Sequence, residues 1–250
     1  MTFPSQVQIY GDSILKGVQL DQANQKYILP KKNNLERWGK HLSLSVQNYS
    51  KFGCTVEKGF QIVRRQLAKW KKAEGSNPVV LLEYGGNDSD YDWTQINADP
   101  TGDYHPHTEL PVFRRVLRGM VEFVREQGMT PVMMNLPPVD SIKYLNWLCR
   151  SGTGIQKENL LQWLRDPEII YRHQELYSAA VCQVAWETNT PLIDVRSEFL
   201  KSRDYKNLIC QDGIHPSAAG HRLIQKSLAA FAQQFSRFIP AANQSLQGAV

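Results

Sequence analysis

Cysteine is scarce in this 250-residue chain: four residues, at 54, 149, 182 and 210, with no Cys-x-x-Cys pair among them. That spacing argues against a zinc knuckle and against a disulfide scaffold, and reads as reduced thiols of a cytoplasmic protein. No apolar run approaches the roughly 18 residues that a membrane span requires. The opening Met1-Thr2-Phe3-Pro4-Ser5-Gln6 has neither a basic nor an apolar region of the kind a secretory leader carries. Neither an internal repeat nor a low-complexity linker is present. The charge excess is only +5, too mild to imply nucleic acid. The most basic stretch, Arg64 to Lys72, reads as the solvated face of an amphipathic helix. The first strand is not followed by Gly-x-Gly-x-x-Gly, and no P-loop lysine follows Gly11-Asp12-Ser13, which counts against a nucleotide-binding domain.

What is present is an alternation of short apolar runs with helical patterns. Strands are expected at Val7–Tyr10, Val46–Tyr49, Val79–Tyr84, Pro131–Leu136 and Pro191–Val195. Helices are expected at Leu35–Leu44, Val56–Lys72, Phe113–Gln127 (capped by Gly128), Glu168–Glu187 and Ser217–Phe235. The run Val79–Tyr84 is apolar and β-branched without alternation, as a strand buried on both faces should be. Strand–helix alternation through the chain predicts one α/β domain over 1–250, a parallel sheet covered on both faces, with 240–250 as a frayed tail. The ligand then lies beyond the carboxyl ends of the strands. Two long connections, Asp88–Pro111 and Pro137–Pro167, leave that edge and read as lids or binding loops.

The chemistry-bearing residues fall at the same edge. Gly11-Asp12-Ser13 follows the first strand, Gly53 lies beyond the second, and Gly85-Gly86-Asn87-Asp88 follows the third. Asp212-Gly213-Ile214-His215-Pro216 precedes the last helix, with Pro216 suited to its first turn. Each block alone is an ordinary turn or helix cap. Together they supply a nucleophile (Ser13), a base (His215), an acid three residues away to orient that base (Asp212), and neutral donors for an oxyanion, among them the Asn87 amide.

In this order the blocks resemble those of the SGNH-hydrolase family, the GDSL esterases and lipases, over Tyr10 to His221, with Ile14 where the name-giving motif has leucine. The resemblance implies a three-layer α/β/α sandwich with a five-stranded parallel sheet of flavodoxin-like type. It implies Ser13, Asp212 and His215 as catalytic residues. The Ser13 and Gly53 backbone N–H groups and the Asn87 side chain would form the oxyanion hole. It implies a small-molecule acyl ester as substrate and neither metal nor organic cofactor. Asp12, Asp88, Tyr91, Trp93 and Trp147 are candidate substrate contacts, the aromatic rings stacking on a sugar and the carboxylates binding hydroxyls. That favours removal of a small acyl group such as acetyl from a carbohydrate or similar alcohol. A lipase, thioesterase or lysophospholipase on the same machinery, and a non-catalytic carbohydrate-binding module, are the rivals. His105-Pro106-His107, near Asp99 and Asp103, reads as loop structure or a substrate contact rather than a metal site. His221 is read as a surface or packing residue of the last helix, and His41 and His173 as ordinary members of helical segments.

Overall fold

The computed structural model describes residues 6–70 and 78–234. The expected tail at 240–250, the end of the basic stretch at Lys71 and Lys72, and Phe235 lie outside them. In chain order the described elements are β1 (Gln6–Gly11), α1 (Ser13–Lys16), β2 (Gln19–Asp21), β3 (Lys26–Ile28), α2 (Leu35–Lys40), β4 (Ser45–Asn48), α3 (Val56–Leu67) and β5 (Val79–Glu83). They continue as α4 (Trp93–Ala98), α5 (Leu110–Glu126), β6 (Thr130–Met134), α6 (Ser141–Leu148), α7 (Lys157–Leu164), α8 (Glu168–Glu187), β7 (Leu192–Ile193), α9 (Val195–Leu200) and α10 (Ala218–Gln234).

Five strands form one parallel sheet in the order β4-β1-β5-β6-β7. Its two faces follow from the two-residue period of a strand. Tyr10, Val80, Leu82 and Met133 point to one side and pack with α3, α5 and α8 through Val63, Leu117, Met120 and Val181. Ile9, Leu81, Val132, Met134 and Ile193 point to the other and pack with α9 and α10 through Phe199, Ile224 and Leu228. Every residue of β5 is therefore buried, which is why that run is continuously apolar up to Glu83. The three-layer sandwich and its five-stranded parallel sheet are as expected.

Four features differ from the sequence reading. A small antiparallel hairpin, β2–β3, follows α1. Helix α2 stops at Lys40, and β7 is only two residues long. The two long connections are not open loops: they carry α4, α6 and α7. Trp93, Ile96, Tyr144, Leu145, Leu160 and Leu164 from these helices form a third apolar cluster. This cluster is a folded cap built from the segments that leave the carboxyl edge. Among the described residues no helix is long and apolar enough to cross a membrane.

The chain leaves β1 toward β4 on one side and returns to β5 on the other. The carboxyl ends of β1 and β5 therefore flank the point where strand order reverses, the crevice in which open α/β sheets bind ligands.

Candidate active site

Ser13 is the first residue of α1, directly beyond β1, and its hydroxyl is aimed into that crevice. Asp212, Ile214 and His215 arrive from the loop ahead of α10. Asp212 Oδ1 accepts the backbone N–H groups of Ile214 and His215, both at 3.1 Å, which winds the segment into a tight turn. Gly213 stands at φ +78°, and a Cβ there would lie 2.3 Å from the backbone nitrogen of Tyr144. Only glycine lets this turn seat against the start of α6, where the Asp140 N–H donates to the Gly213 carbonyl at 2.8 Å.

The result is a continuous line of hydrogen bonds. His215 Nδ1 lies 2.7 Å from Asp212 Oδ2, and His215 Nε2 lies 2.9 Å from Ser13 Oγ. All three residues are buried, Asp212 completely. With Nδ1–H donated to the carboxylate, Nε2 is left as the acceptor facing the hydroxyl, the tautomer a general base requires.

Asn87, in the turn after β5, donates one amide hydrogen to Asp12 Oδ2 at 2.8 Å. Asp12 caps α1 by accepting the Ile14 N–H at 2.8 Å. Burial, opposed in part by these donors, pushes the Asp12 carboxyl up to about 6. Gly53 lies in a turn at φ +64°. That turn is tied to β1 by the Lys51 N–H donating to the Gly11 carbonyl at 3.0 Å. The adjacent Phe52 ring stacks 5.9 Å from His215.

A cavity of about 90 Å³ adjoins Ser13, Asn87 and His215 and runs under the cap between Leu136, Val139, Leu164, Ile169, Ile170 and Ile214. Tyr91 and Trp93 line it, but as part of the cap core: Trp93 Nε1 donates to Asp90 at 2.8 Å and to the Tyr144 hydroxyl at 3.1 Å. The Tyr91 hydroxyl meets His173 Nε2 at 3.1 Å. The expected exposed sugar-stacking wall is thus an inner wall, its polar atoms already engaged.

Three other expectations change. Asp88 is wholly buried and turned away from the cavity. Both of its carboxylate oxygens accept the Val56 N–H, at 2.9 and 3.1 Å, at the start of α3. Asp12 lines the cavity, yet both its oxygens serve Ile14 and Asn87. Trp147 does not line it: its ring sits 6.2 Å from Tyr27 on β3, with the Arg150 guanidinium 3.8 Å above it. His173, read as an unremarkable helical residue, lines the cavity, whereas His221 is a packing residue, held to the Val18 carbonyl at 2.8 Å. His107 lies 2.9 Å from the Asn87 carbonyl through Nδ1, and His105 only faces Glu109 at 3.5 Å. Among the described residues no group of three or more His, Cys, Asp or Glu could hold a metal ion. All four cysteines are unpaired thiols.

Sequence reasoning missed Glu83, Tyr27 and Phe52. Glu83 had a signal, a lone carboxylate closing an apolar strand. Tyr27, whose ring lies 4.8 Å from His215, had none, since three-residue strands leave no periodicity to read.

A serine–histidine–aspartate line at the carboxyl edge of a doubly covered parallel sheet is the arrangement that acyl transfer uses, here on an α/β/α sandwich. The model of the GDSL-like lipase/acylhydrolase family matches residues 9–223, and the chain belongs to that family, one of SGNH-type carboxylic ester hydrolases. It is 24% identical over 180 residues to the GDSL esterase/lipase CPRD49 of Arabidopsis thaliana. That match takes in 69% of this chain but only 60% of the relative's length. Among solved structures it is similar in fold to a lipase/acylhydrolase from Enterococcus faecalis, with TM-score 0.60 and 18% identity over 92% of this chain and 96% of the other. An acetylxylan esterase from Geobacillus stearothermophilus, Axe2, gives TM-score 0.56 and 19% identity over 91% and 94%.

Proposed function

We propose that the protein hydrolyses carboxylic esters through an acyl-enzyme on Ser13, the acyl group being a short to mid-length apolar chain. His215 Nε2 takes the Ser13 proton as Oγ attacks the ester carbonyl, and returns a proton to the departing alcohol. Asp212 holds the imidazole and stabilises its charged form. Water, activated by the same His215, then hydrolyses the acyl-serine. The second Asn87 amide hydrogen, with the Ser13 and Gly53 N–H groups, meets the developing oxyanion.

The observation that carries this reading is the Ser13–His215–Asp212 line at 2.9 and 2.7 Å opening onto an apolar cavity. The cavity runs on from Ser13 between the aliphatic side chains of Leu136, Val139, Leu164, Ile169, Ile170 and Ile214, a lining suited to an apolar acyl chain. Trp93 is buried and half-buried Tyr91 is tied to His173, which removes the support for a carbohydrate platform.

The test is turnover of p-nitrophenyl esters from acetyl to long-chain acyl by the wild type and by Ser13→Ala. Activity should peak at intermediate chain length and be lost in Ser13→Ala. Full activity in Ser13→Ala would sink the acyl-serine reading, and an acetyl optimum would sink the chain-length assignment.

A further inference from the structure

Strand β5 reads Val79-Val80-Leu81-Leu82-Glu83, and its carboxylate is as buried as its apolar neighbours, 1% exposed. The register pairs Glu83 with Gly11 of β1. A Cβ on Gly11 would lie 2.9 Å from Glu83 Oε2, so glycine there gives the carboxyl its space. Glu83 Oε2 lies 3.4 Å from the Asp12 backbone nitrogen, and the two buried carboxyls act on each other's charge. Glu83 Oε1 is buried without a partner. Around the pair stand Asp88, Tyr10, Tyr84, Cys54 (with Lys58 acting on it) and, across the cavity, His215.

Two desolvated carboxyls, one held against the backbone N–H of the other, resist being ionised together, so the pair holds one proton. Asp12 is the better anion, because two N–H donors, from Ile14 and Asn87, meet its oxygens. Glu83 has one long contact and an orphan oxygen. Burial beside Asp12 holds its carboxyl well above the usual range.

We infer that Glu83 is a positioning residue for the oxyanion end of the site: it keeps the shared proton, leaves Asp12 as a pure acceptor, and so fixes the orientation of the Asn87 amide. This rests on the esterase reading above. An ionised Asp12 accepts N–H and repels a carbonyl oxygen, so the Asn87 NH₂ group is held inward with its second hydrogen toward the ester. A protonated Asp12 would donate to the Asn87 oxygen and allow the amide to flip. The proton on Glu83 prevents this, and the pair keeps a single negative charge facing His215.

The experiment compares wild type, Glu83→Gln, Glu83→Leu and Ser13→Ala, reading kcat and KM on p-nitrophenyl butyrate and the infrared carbonyl band of a protonated carboxyl. Glu83→Leu should lose tenfold or more in kcat, up to about the 10²–10³ that one oxyanion donor is worth, with KM little changed. Glu83→Gln, which still donates to Asp12, should recover kcat to within about threefold of wild type. The carboxylic-acid band should be present in wild type and missing from Glu83→Gln. A kcat loss in Glu83→Gln as large as in Glu83→Leu, or no such band in wild type, overturns the assignment. Should Glu83→Leu not fold, Glu83→Gln and the band decide. Turnover that survives in Ser13→Ala would instead overturn the esterase reading, and the band would still test Glu83.

Discussion

Asp88 accepts the Val56 backbone N–H with both carboxylate oxygens, at 2.9 and 3.1 Å, across 32 residues of sequence. Thr55 stands at the N-cap of α3 without a capping hydrogen bond of its own, so Asp88 does that work from the neighbouring loop. It thereby fastens the turn holding Asn87 to the helix behind the Gly53 turn. Asp88→Ala should cost about 1–2 kcal/mol as a lost cap, lowering Tm by about 2–4 °C per kcal/mol in a chain of this size. Asp88→Asn keeps one acceptor oxygen and should cost less. KM should stay near wild type in both. A raised KM at unchanged Tm would instead mark Asp88 as a substrate ligand.

The rings of Tyr27 and Phe52 lie 4.8 and 5.9 Å from the His215 ring, and both are partly exposed. They screen the His215–Asp212 pair at the mouth of the site. Burial, and then the Asp212 charge, push the Tyr27 hydroxyl up to about 12, so it stays neutral there. Contacts of this kind are worth about 0.5–1.5 kcal/mol each, so Tyr27→Ala and Phe52→Ala should each lower kcat/KM by roughly 2–10-fold. Because both rings touch the same imidazole, the double variant should depart from additivity. Unchanged kcat/KM in all three would make the hairpin irrelevant to the site.

Which of these features could be read from residues alone follows their physics. β5 and β6 are covered on both faces, so their apolar runs were unambiguous, and α8 carries its periodicity over the full Glu168–Glu187. The triad was legible because Asp212 and His215 lie three residues apart and each block falls at a strand or helix end. The cap was not: α6 and α7 have eight residues each, too short to stand out against a loop without the partners they pack on. Asp88 could not be told from a substrate ligand, since its role depends on the distant Val56. Tyr91 and Trp93 were visible as aromatics, but whether they face solvent is decided by Asp90, Tyr144 and His173, which only the fold brings to them.

His221 is 4% exposed, with its imidazole facing the Val18 carbonyl, and burial pulls it down to about 4. An unfolded histidine titrates near 6.5. Between about pH 6.5 and 4 the unfolded chain binds a proton that the native state refuses. Stability from this group is therefore complete above that window and lost as pH falls through it, by up to about 3 kcal/mol. Asp12 and Asp88, raised by burial to about 6, act oppositely: the native state binds their protons first and gains stability on acidification. Comparing Tm of wild type and His221→Asn from about pH 7 to pH 4 isolates the histidine. The wild type's margin over His221→Asn should shrink as pH falls; a constant margin would contradict the assignment.

The net charge of +5 is not spread evenly. The span from Lys16 through Lys51, ends included, holds seven Lys or Arg and two Asp or Glu, a surplus equal to that of the whole chain. Lys16, Lys31, Arg37 and Lys40 line one groove together with Leu29 and Ser50. The same segment supplies Tyr27 to the rim of the site, and Phe52 follows Lys51 directly. A positive field on that side should draw anionic esters toward Ser13 more strongly than neutral ones. Such a field is screened: the Debye length falls from about 30 Å at 0.01 M ionic strength to about 8 Å at 0.15 M. The ratio of kcat/KM for an anionic ester to that for a neutral ester with the same acyl group should therefore fall several-fold over that range. In the double variant Lys31→Glu with Arg37→Glu the ratio should be low at every ionic strength, while turnover of the neutral ester stays near wild type. A ratio that ignores both salt and the charge reversal would show that the groove's charge does not reach the site.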